Sequence, residues 1–276
     1  MPRLRDVLMG QLGALRWEPT DKRIRAMAGD VTVVDTTRAL LVWEPKRVVP
    51  SYAVPAADIA AEIVAGGDGA AAPEHPPTLQ GRPVYDPSVP FAVHTAPGEA
   101  VTLGGAAGFR PADPELAGYV VLDFRAFDAW YEEDERNVSH PRDPFHRIDI
   151  VHSSRHVRVE AERSGDEASG RGRSETLAES SRPYLLFETS LPVRYYLAPE
   201  DVRMDRLAPS PTRTACAYKG EASYWALEGR DVAWTYREPL REAAEVTDRV
   251  AFFNERVDII VDGERLERPI TPWSRG

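Results

Sequence analysis

Two stretches of this chain are one pattern written twice. Arg38 aligns with Arg182, Glu44 with Glu188, Tyr52 with Tyr196 and Pro55 with Pro199, each pair 144 positions apart. Gly98-Glu99-Ala100 aligns with Gly220-Glu221-Ala222 at an offset of 122. Gly118–Asp134 aligns with Asp248–Glu264 at an offset of 130, placing Val120 on Val250 and Asp128 on Asp258. The changing offsets are differences in loop length, which belong on surfaces. Repetition at this spacing predicts two copies of a domain of about 130 residues rather than a short-period solenoid. The division is an N-terminal amphipathic helix over 1–15, a first repeat over 16–144 and a second over 145–276.

Composition limits what such domains do. With 276 residues, 42% hydrophobic and 28% charged, the chain supports two packed cores. No apolar run approaches the ~20 residues of a membrane span, and no apolar core with a small-residue cleavage site suggests a signal peptide. A net charge of −10 argues against a general nucleic-acid binder, because phosphate contacts need clustered Lys and Arg. The single Cys216 excludes an internal disulfide and fits the cytoplasm. Lysine is confined to Lys22, Lys46 and Lys219. With abundant Ala, Gly and Pro, that bias suggests a GC-rich bacterial source.

Most segments read as short strands between Pro, Gly and Asp punctuation. Arg155–Glu160 alternates, Tyr184–Glu188 is an apolar run ending in a carboxylate, and Val250–Phe253 and Val257–Asp262 read as a hairpin around Asn254–Arg256. Asp262-Gly263 marks a further turn. Leu4, Val7, Leu8, Leu12 and Leu15 fall on one helical face. A weak helix is expected over Ala56–Ala65 and a helical turn over Glu200–Arg206, opened by Pro199 and acidic residues. Ser164–Ser174 and Gly66–Pro77 read as flexible loops. The fold class is mainly β, with few short helices.

The second repeat carries the chemistry-bearing residues. It contains Arg182-Pro-x-x-x-x-Glu188, Arg194-Tyr-Tyr-Leu-Ala-Pro-Glu-Asp201, Cys216-Ala-Tyr-Lys219-Gly-Glu-Ala-Ser-Tyr-Trp225 and Ala233-Trp-Thr-Tyr236. These runs resemble domain-of-unknown-function family 427, also labelled nucleotidyltransferase-like, over nearly the whole second repeat. Leu-Leu-Phe-Glu-Thr, Pro-Glu-Asp-Val-Arg-Met-Asp, Tyr-Lys-Gly and Phe-Phe-Asn-Glu-Arg-Val-Asp all recur in that family. The resemblance implies a tandem repeat of two small, tent-shaped β domains, related in shape to methionine sulfoxide reductase B and the ligand domain of cereblon. Those shape relatives often hold zinc with four cysteines; one cysteine cannot build that site. Ala217 stands where the family usually has Pro.

In the aligned first repeat, Cys216 becomes His94, Lys219 becomes Pro97, Trp225 becomes Leu103 and Trp234 becomes Phe109, while Tyr236 has no clear counterpart. The framework Arg and Glu survive; the reactive and aromatic set does not. That difference suggests one working pocket and one structural copy. Lys219 and Cys216 are the catalytic candidates, since an ammonium three residues from a thiol favours the thiolate. Arg182, Glu188, Tyr195, Tyr196, Tyr218, Trp225, Trp234 and Tyr236 are the ligand-binding candidates. Each also has an ordinary reading: Arg182 and Glu188 as a structural ion pair or turn support, Cys216 as a small hydrophobe, Lys219 as a solvated charge and the aromatics as core. His152 and His156 sit four apart on a strand, and His140, Asp143 and His146 in a Pro-rich linker; neither set makes a convincing metal site. Asp201 and Asp205 could hold a cation but lack the motif of a nucleotidyltransferase.

The sequence thus points to a small polar ligand in the second repeat, with enzymatic activity left open and neither metal nor cofactor expected. Nucleic-acid and membrane partners are disfavoured, and a homodimer is compatible. The alternatives are a nucleotidyltransferase-like enzyme and a non-catalytic interaction module. If Lys219 is a surface charge, Lys219→Met should change stability by no more than about 0.5 kcal/mol while abolishing binding.

Overall fold

The computed structural model describes residues 4–67, 69–162 and 174–274. Two compact units emerge, Met1–Pro144 and Phe145–Gly276. In the first, the strands are β1 (Arg16–Pro19), β2 (Ile24–Ala28), β3 (Val31–Thr36), β4 (Leu40–Trp43), β5 (Ser51–Pro55), β6 (Ile63–Ala65), β7 (Thr78–Leu79), β8 (Arg82–Pro83), β9 (Gly98–Leu103), β10 (Ala106–Pro111), β11 (Tyr119–Leu122), β12 (Ala129–Glu132) and β13 (Glu135–Asn137). In the second they are β14 (Ile148–His152), β15 (Val157–Glu162), β16 (Ser174–Ser180), β17 (Tyr184–Glu188), β18 (Arg194–Leu197), β19 (Ala208–Cys216), β20 (Gly220–Leu227), β21 (Arg230–Tyr236), β22 (Val250–Phe252), β23 (Asp258–Val261) and β24 (Glu264–Arg265). The chain is mainly β, as its punctuation implies.

Each unit holds a seven-stranded and a four-stranded antiparallel sheet. The orders are β1-β4-β5-β11-β10-β9-β6 and β13-β12-β2-β3 in the first, and β14-β17-β18-β22-β21-β20-β19 and β16-β15-β23-β24 in the second. A β-bulge interrupts β2 against β3 at Ala26/Met27, and another interrupts β15 against β16 at Val159/Glu160. Thr36 and Ser180 close those two ladders, and each donates its hydroxyl to an aspartate, Asp58 and Asp201.

The registers correct the sequence alignment. Leu41 faces Tyr52, whereas Leu185 faces Tyr195; Tyr184 faces Tyr196, whereas Leu40 faces Ala53. Tyr52 therefore corresponds to Tyr195, and Tyr196 to Ala53. The offset of 144 holds through Glu44 and Glu188 and drops by one in the following loop. Pro55 likewise precedes a 3-10 turn at Ala56–Asp58, while Pro199 is the first residue of its turn, Pro199–Asp201. Trp225 faces Ala233 as Val101 faces Gly108, so Trp225 corresponds to Val101 rather than Leu103. Asp128 and Asp258 are also one place out, since Trp130 faces Ala26 as Ile259 faces Val159. A slip of one matters because adjacent strand residues point to opposite faces.

In the second unit both faces of the larger sheet are covered. Leu185, Tyr195, Ala233 and Phe252 pack with Val157, Val159, Ile259 and Val261 of the smaller sheet. Their neighbours Leu186, Tyr196, Trp234, Ala251 and Phe253 face the other way, against Ala243 and Val246 from the 3-10 segment Arg241–Val246. Double burial explains the apolar runs Leu185-Leu186, Tyr195–Leu197 and Val250–Phe252, while Phe187 is exposed at the end of β17.

Three local expectations need correction. Val250–Phe252 and Asp258–Val261 do not pair as a hairpin; Asn254–Arg256 is a corner carrying the chain from one sheet to the other. The helix expected over Ala56–Ala65 is a short 3-10 turn followed by β6, in keeping with its β-branched Ile63-Val64. The N-terminal helix, α1, runs Leu4–Gly10, followed by a 3-10 turn at Gln11–Gly13; Leu12 is buried but Val7 is half exposed. Met1–Arg3, and the side chains of Leu4 and Leu8, lie outside the described residues. So does most of the loop expected over Ser164–Ser174. No described helix is long and apolar enough to cross a membrane.

Gly220 opens β20 at φ +92°, and a Cβ there would lie 3.3 Å from the Glu238 carbonyl oxygen. Gly229 has a similar φ of +82° but open space around it. Gly220→Ala should cost about 1–3 kcal/mol in denaturant unfolding, and more than Gly229→Ala, because crowding adds to the backbone strain.

Candidate functional site

The last residue of β17, Glu188, lies on the same face as Tyr184 and Leu186, and the residue before β20, Lys219, reaches it there. Lys219 Nζ donates to Glu188 Oε2 at 2.5 Å, and His146 Nε2 lies 3.1 Å from Glu188 Oε1. Both charged side chains are buried, Lys219 at 10% and Glu188 at 7% exposure, while His146 keeps 23%. The His146 ring stacks on Tyr218, centroids 4.5 Å apart. Cys216 is half-buried, and its Sγ accepts a weak hydrogen bond from the Tyr218 amide at 3.5 Å. Behind the pair stand Tyr196, whose hydroxyl accepts from Trp234 Nε1 at 3.1 Å, and the buried Tyr236.

The electrostatics lock the Glu188–Lys219 pair into charged form. Burial works to raise the Glu188 carboxyl, but Lys219 and His146 outweigh it and hold it at about 2. Burial works to lower the Lys219 ammonium, but Glu188, Cys216 and Tyr196 overcome it and raise it above its ordinary value. Burial pushes the Tyr196 phenol up to about 12, and the Tyr236 phenol well above its usual range. Lys219 is therefore a fixed cation, not an amine nucleophile, which needs a depressed pKa.

The ligand set expected from sequence does not converge. Arg182 is not the partner of Glu188: it bonds Glu200 at 2.8 Å and Asp201 at 3.3 Å on the outer edge. Arg38 does the same with Asp58, which makes this pair a feature of both units. Tyr195 and Trp225 belong to the core between the sheets, on the opposite face from Tyr196, Trp234 and Tyr236. Lys219 is not a solvated surface charge, so the small stability change expected for Lys219→Met does not follow. Asp201 is held by Ser180 and Arg182, and Asp205 by Arg203, so the two carboxylates do not converge on a shared site. His156 pairs with Glu179 at 2.8 Å, and the His152 ring meets Tyr184 edge-on. Among the described residues no group of three or more His, Cys, Asp or Glu side chains is placed to hold a metal.

Two residues of the second unit escaped the sequence reading. His146 was assigned to a linker, yet its position before β14 brings it beside Glu188. Arg194, quoted only as part of a motif, is buried between Trp234 and Trp273, at 5.4 and 5.6 Å from the ring centroids. It forms a two-pronged bond with Glu255 at 2.8 and 2.7 Å, and Thr271 Oγ1 donates to the same carboxylate at 2.6 Å. The available signal was a charged residue inside an apolar run, since buried charges are retained only with partners.

Most strands of the second unit, and the Glu188–Lys219 pair, fall within a single matched segment. Residues 149–263 match a family model described as a domain of unknown function, DUF427. The DUF427 segment includes Glu188, Lys219, Cys216 and the aromatic face, while His146 lies just before it. No curated protein matches the chain.

Lys219→Met leaves a buried carboxylate facing only His146, and should cost about 3–5 kcal/mol in denaturant unfolding. The pH dependence has a definite sign. Glu188 is depressed from 4.5 to about 2, so its stabilising contribution is present above pH 4.5 and lost as pH falls toward 2. Glu188→Gln should flatten the stability profile in that window, read by urea titrations at stepped pH.

Proposed function

We propose that the second unit binds a small polar molecule at the His146–Glu188–Lys219 cluster, with Cys216 and Tyr218 at its margin. The carrying observation is a difference in how one carboxylate is satisfied. In the first unit Glu44 takes the same place as Glu188 and is bonded by His94 Nδ1 at 3.0 Å and by the amides of Thr95 and Ala96 at 2.7 and 3.1 Å. A structural carboxylate at this point needs no more than one imidazole and backbone donors. Counting back from the β20 register, Lys219 occupies the Thr95 position, so the second unit replaces a backbone donor with a buried ammonium.

A fixed cation and anion in a dry setting orient a polar ligand strongly, because their fields are little screened. His146 and Cys216 are the partly exposed members that a ligand would meet first. His146 is the proton-transfer candidate if the site is catalytic, since Glu188 accepts from one of its nitrogens and orients the ring. Tyr196, Trp234 and Tyr236 form the wall behind the pair rather than a stacking surface. Arg182, Tyr195 and Trp225 drop out of this site. A bacterial, cytoplasmic setting rests on composition alone: one free cysteine and few lysines.

We also propose that the units are two copies of one domain, supported by the matched strand orders and the matched bulges. A nucleotidyltransferase-like activity rests on the family model's short label.

A thermal-shift screen of metabolites and nucleotides, with and without Mg²⁺, tests the ligand reading. The expected result is a metal-independent stabilisation by a small polar compound that also slows alkylation of Cys216. A shift that needs both nucleotide and Mg²⁺ favours the transferase. A screen in which no compound protects Cys216 counts against the site and favours an interaction module.

A further inference from the structure

Aligning the units by register, rather than by sequence, exposes a second place where they differ. In the first unit Tyr52 donates its hydroxyl to Glu132 Oε1 at 2.6 Å. Asn137 Nδ2 bonds both, at 3.0 Å to the hydroxyl and 3.2 Å to the carboxylate. Lys22 Nζ closes the set on Glu132 Oε2 at 2.5 Å. Tyr52, Glu132 and Asn137 are all buried. A carboxylate is thus held by a phenol, an amide and an ammonium against an apolar interior.

Each position has a counterpart in the second unit. Tyr52 corresponds to Tyr195. Glu132 faces Ile24 as Val261 faces Val157, so Glu132 corresponds to Val261. Asn137 faces Trp130, and the Leu266 amide bonds the Ile259 carbonyl, so Asn137 corresponds to Leu266. Lys22 precedes β2 by the same step as Arg155 precedes β15. The flanking contacts agree: the Arg23 amide bonds Glu133 as the His156 amide bonds Asp262.

The second unit thus keeps the counterparts of the phenol and the ammonium, Tyr195 and Arg155, while the acceptor Glu132 and the bridging donor Asn137 give way to the aliphatic Val261 and Leu266. A half-open cleft of about 160 Å³ has Tyr195 and Leu266, the counterparts of Tyr52 and Asn137, on its wall, together with Val193, Asn254, Ile259, Glu267 and Pro269. A dry apolar cavity of about 150 Å³ accommodates benzene. Arg155 and Asp262 both act on the Tyr195 phenol, which burial keeps above its ordinary value and therefore protonated as a donor. Arg155 Nε bonds Asp262 at 2.7 Å in a half-exposed pair, so its outward geometry is not locked by burial.

We propose that this cleft binds a small apolar monocarboxylic acid, its carboxylate taking the place of the Glu132 side chain. The carboxylate accepts from Tyr195 Oη on the cleft wall, and Arg155, once turned from Asp262 toward the cleft, supplies the opposing charge, while the ring or branched tail fills the space between Ile259, Leu266 and Pro269. Neither donor belongs to the Lys219 cluster, so the cleft is a separate site. Glu267 opposes an anion and limits the affinity.

Benzoate is the probe, with benzamide as its uncharged isostere, titrated into the full chain by calorimetry. In the wild type, methyl resonances of Val193, Ile259 and Leu266 should shift with benzoate, and benzamide should bind more weakly. Tyr195→Phe and Arg155→Gln should each weaken benzoate about tenfold or more, the scale of one hydrogen bond to a charged group. Leu266→Trp should fill the cleft and abolish binding, and Glu267→Gln should tighten it. Absence of saturable benzoate binding, methyl shifts located elsewhere, or benzamide binding as tightly as benzoate each overturns the proposal. The methyl shifts are read on the wild type, so the test stands even if a cleft variant fails to fold.

Discussion

The second unit depends on its larger sheet being buried on both faces. In an antiparallel sheet one face usually meets water, and a strand can tolerate a polar residue at every second place. Along Leu185-Leu186, Tyr195–Leu197 and Val250–Phe253 neither set of alternating residues is free. Leu185, Tyr195 and Phe252 serve one interior, and Leu186, Tyr196, Trp234 and Phe253 the other. Any charge in β17 or β18 must then be neutralised within the protein. Glu188 finds Lys219 and His146, and Arg194 finds Glu255, so the polar chemistry of this unit follows from a packing constraint.

That constraint also separates what was legible in the sequence from what was not. β17 was readable to the residue, since an apolar run closed by a carboxylate has few other uses, and Asp262-Gly263 was readable as a turn. The alignment failed by one residue after Glu44 and Glu188, because Tyr195-Tyr196 offers two tyrosines to match with Tyr52 and identity alone chose the wrong one. Only the ladder pairing decides it, and it moves the matched side chain to the other interior. The Asn254–Arg256 corner was misread for a related reason. A short polar turn between two apolar runs looks like a hairpin unless the destination sheet is known.

The candidate site was half visible. Lys219 stood out through the rarity of lysine, and Glu188 through its place in the repeated motif, but their pairing could not be read across 31 positions. His146 carried no local pattern, and Arg194 only that of a charge inside an apolar run; their roles come from partners 42 and 61 residues away. Tyr195 and Trp225 were grouped with Tyr196 and Trp234 by proximity in sequence, and strand alternation divides them.

Arg194 has a consequence for the order in which the second unit assembles. Its guanidinium sits in β18, but the carboxylate that neutralises it comes from the corner at Glu255, and the hydroxyl and indole that complete its surroundings come from Thr271 and Trp273. During vectorial synthesis, β18 emerges long before any of these. Until they follow, pairing β18 into a closed interior would strand a bare cation in it, which is strongly disfavoured. The charge of Arg194 thus ties the closed interior around β18 to residues 61 to 79 positions further along the chain.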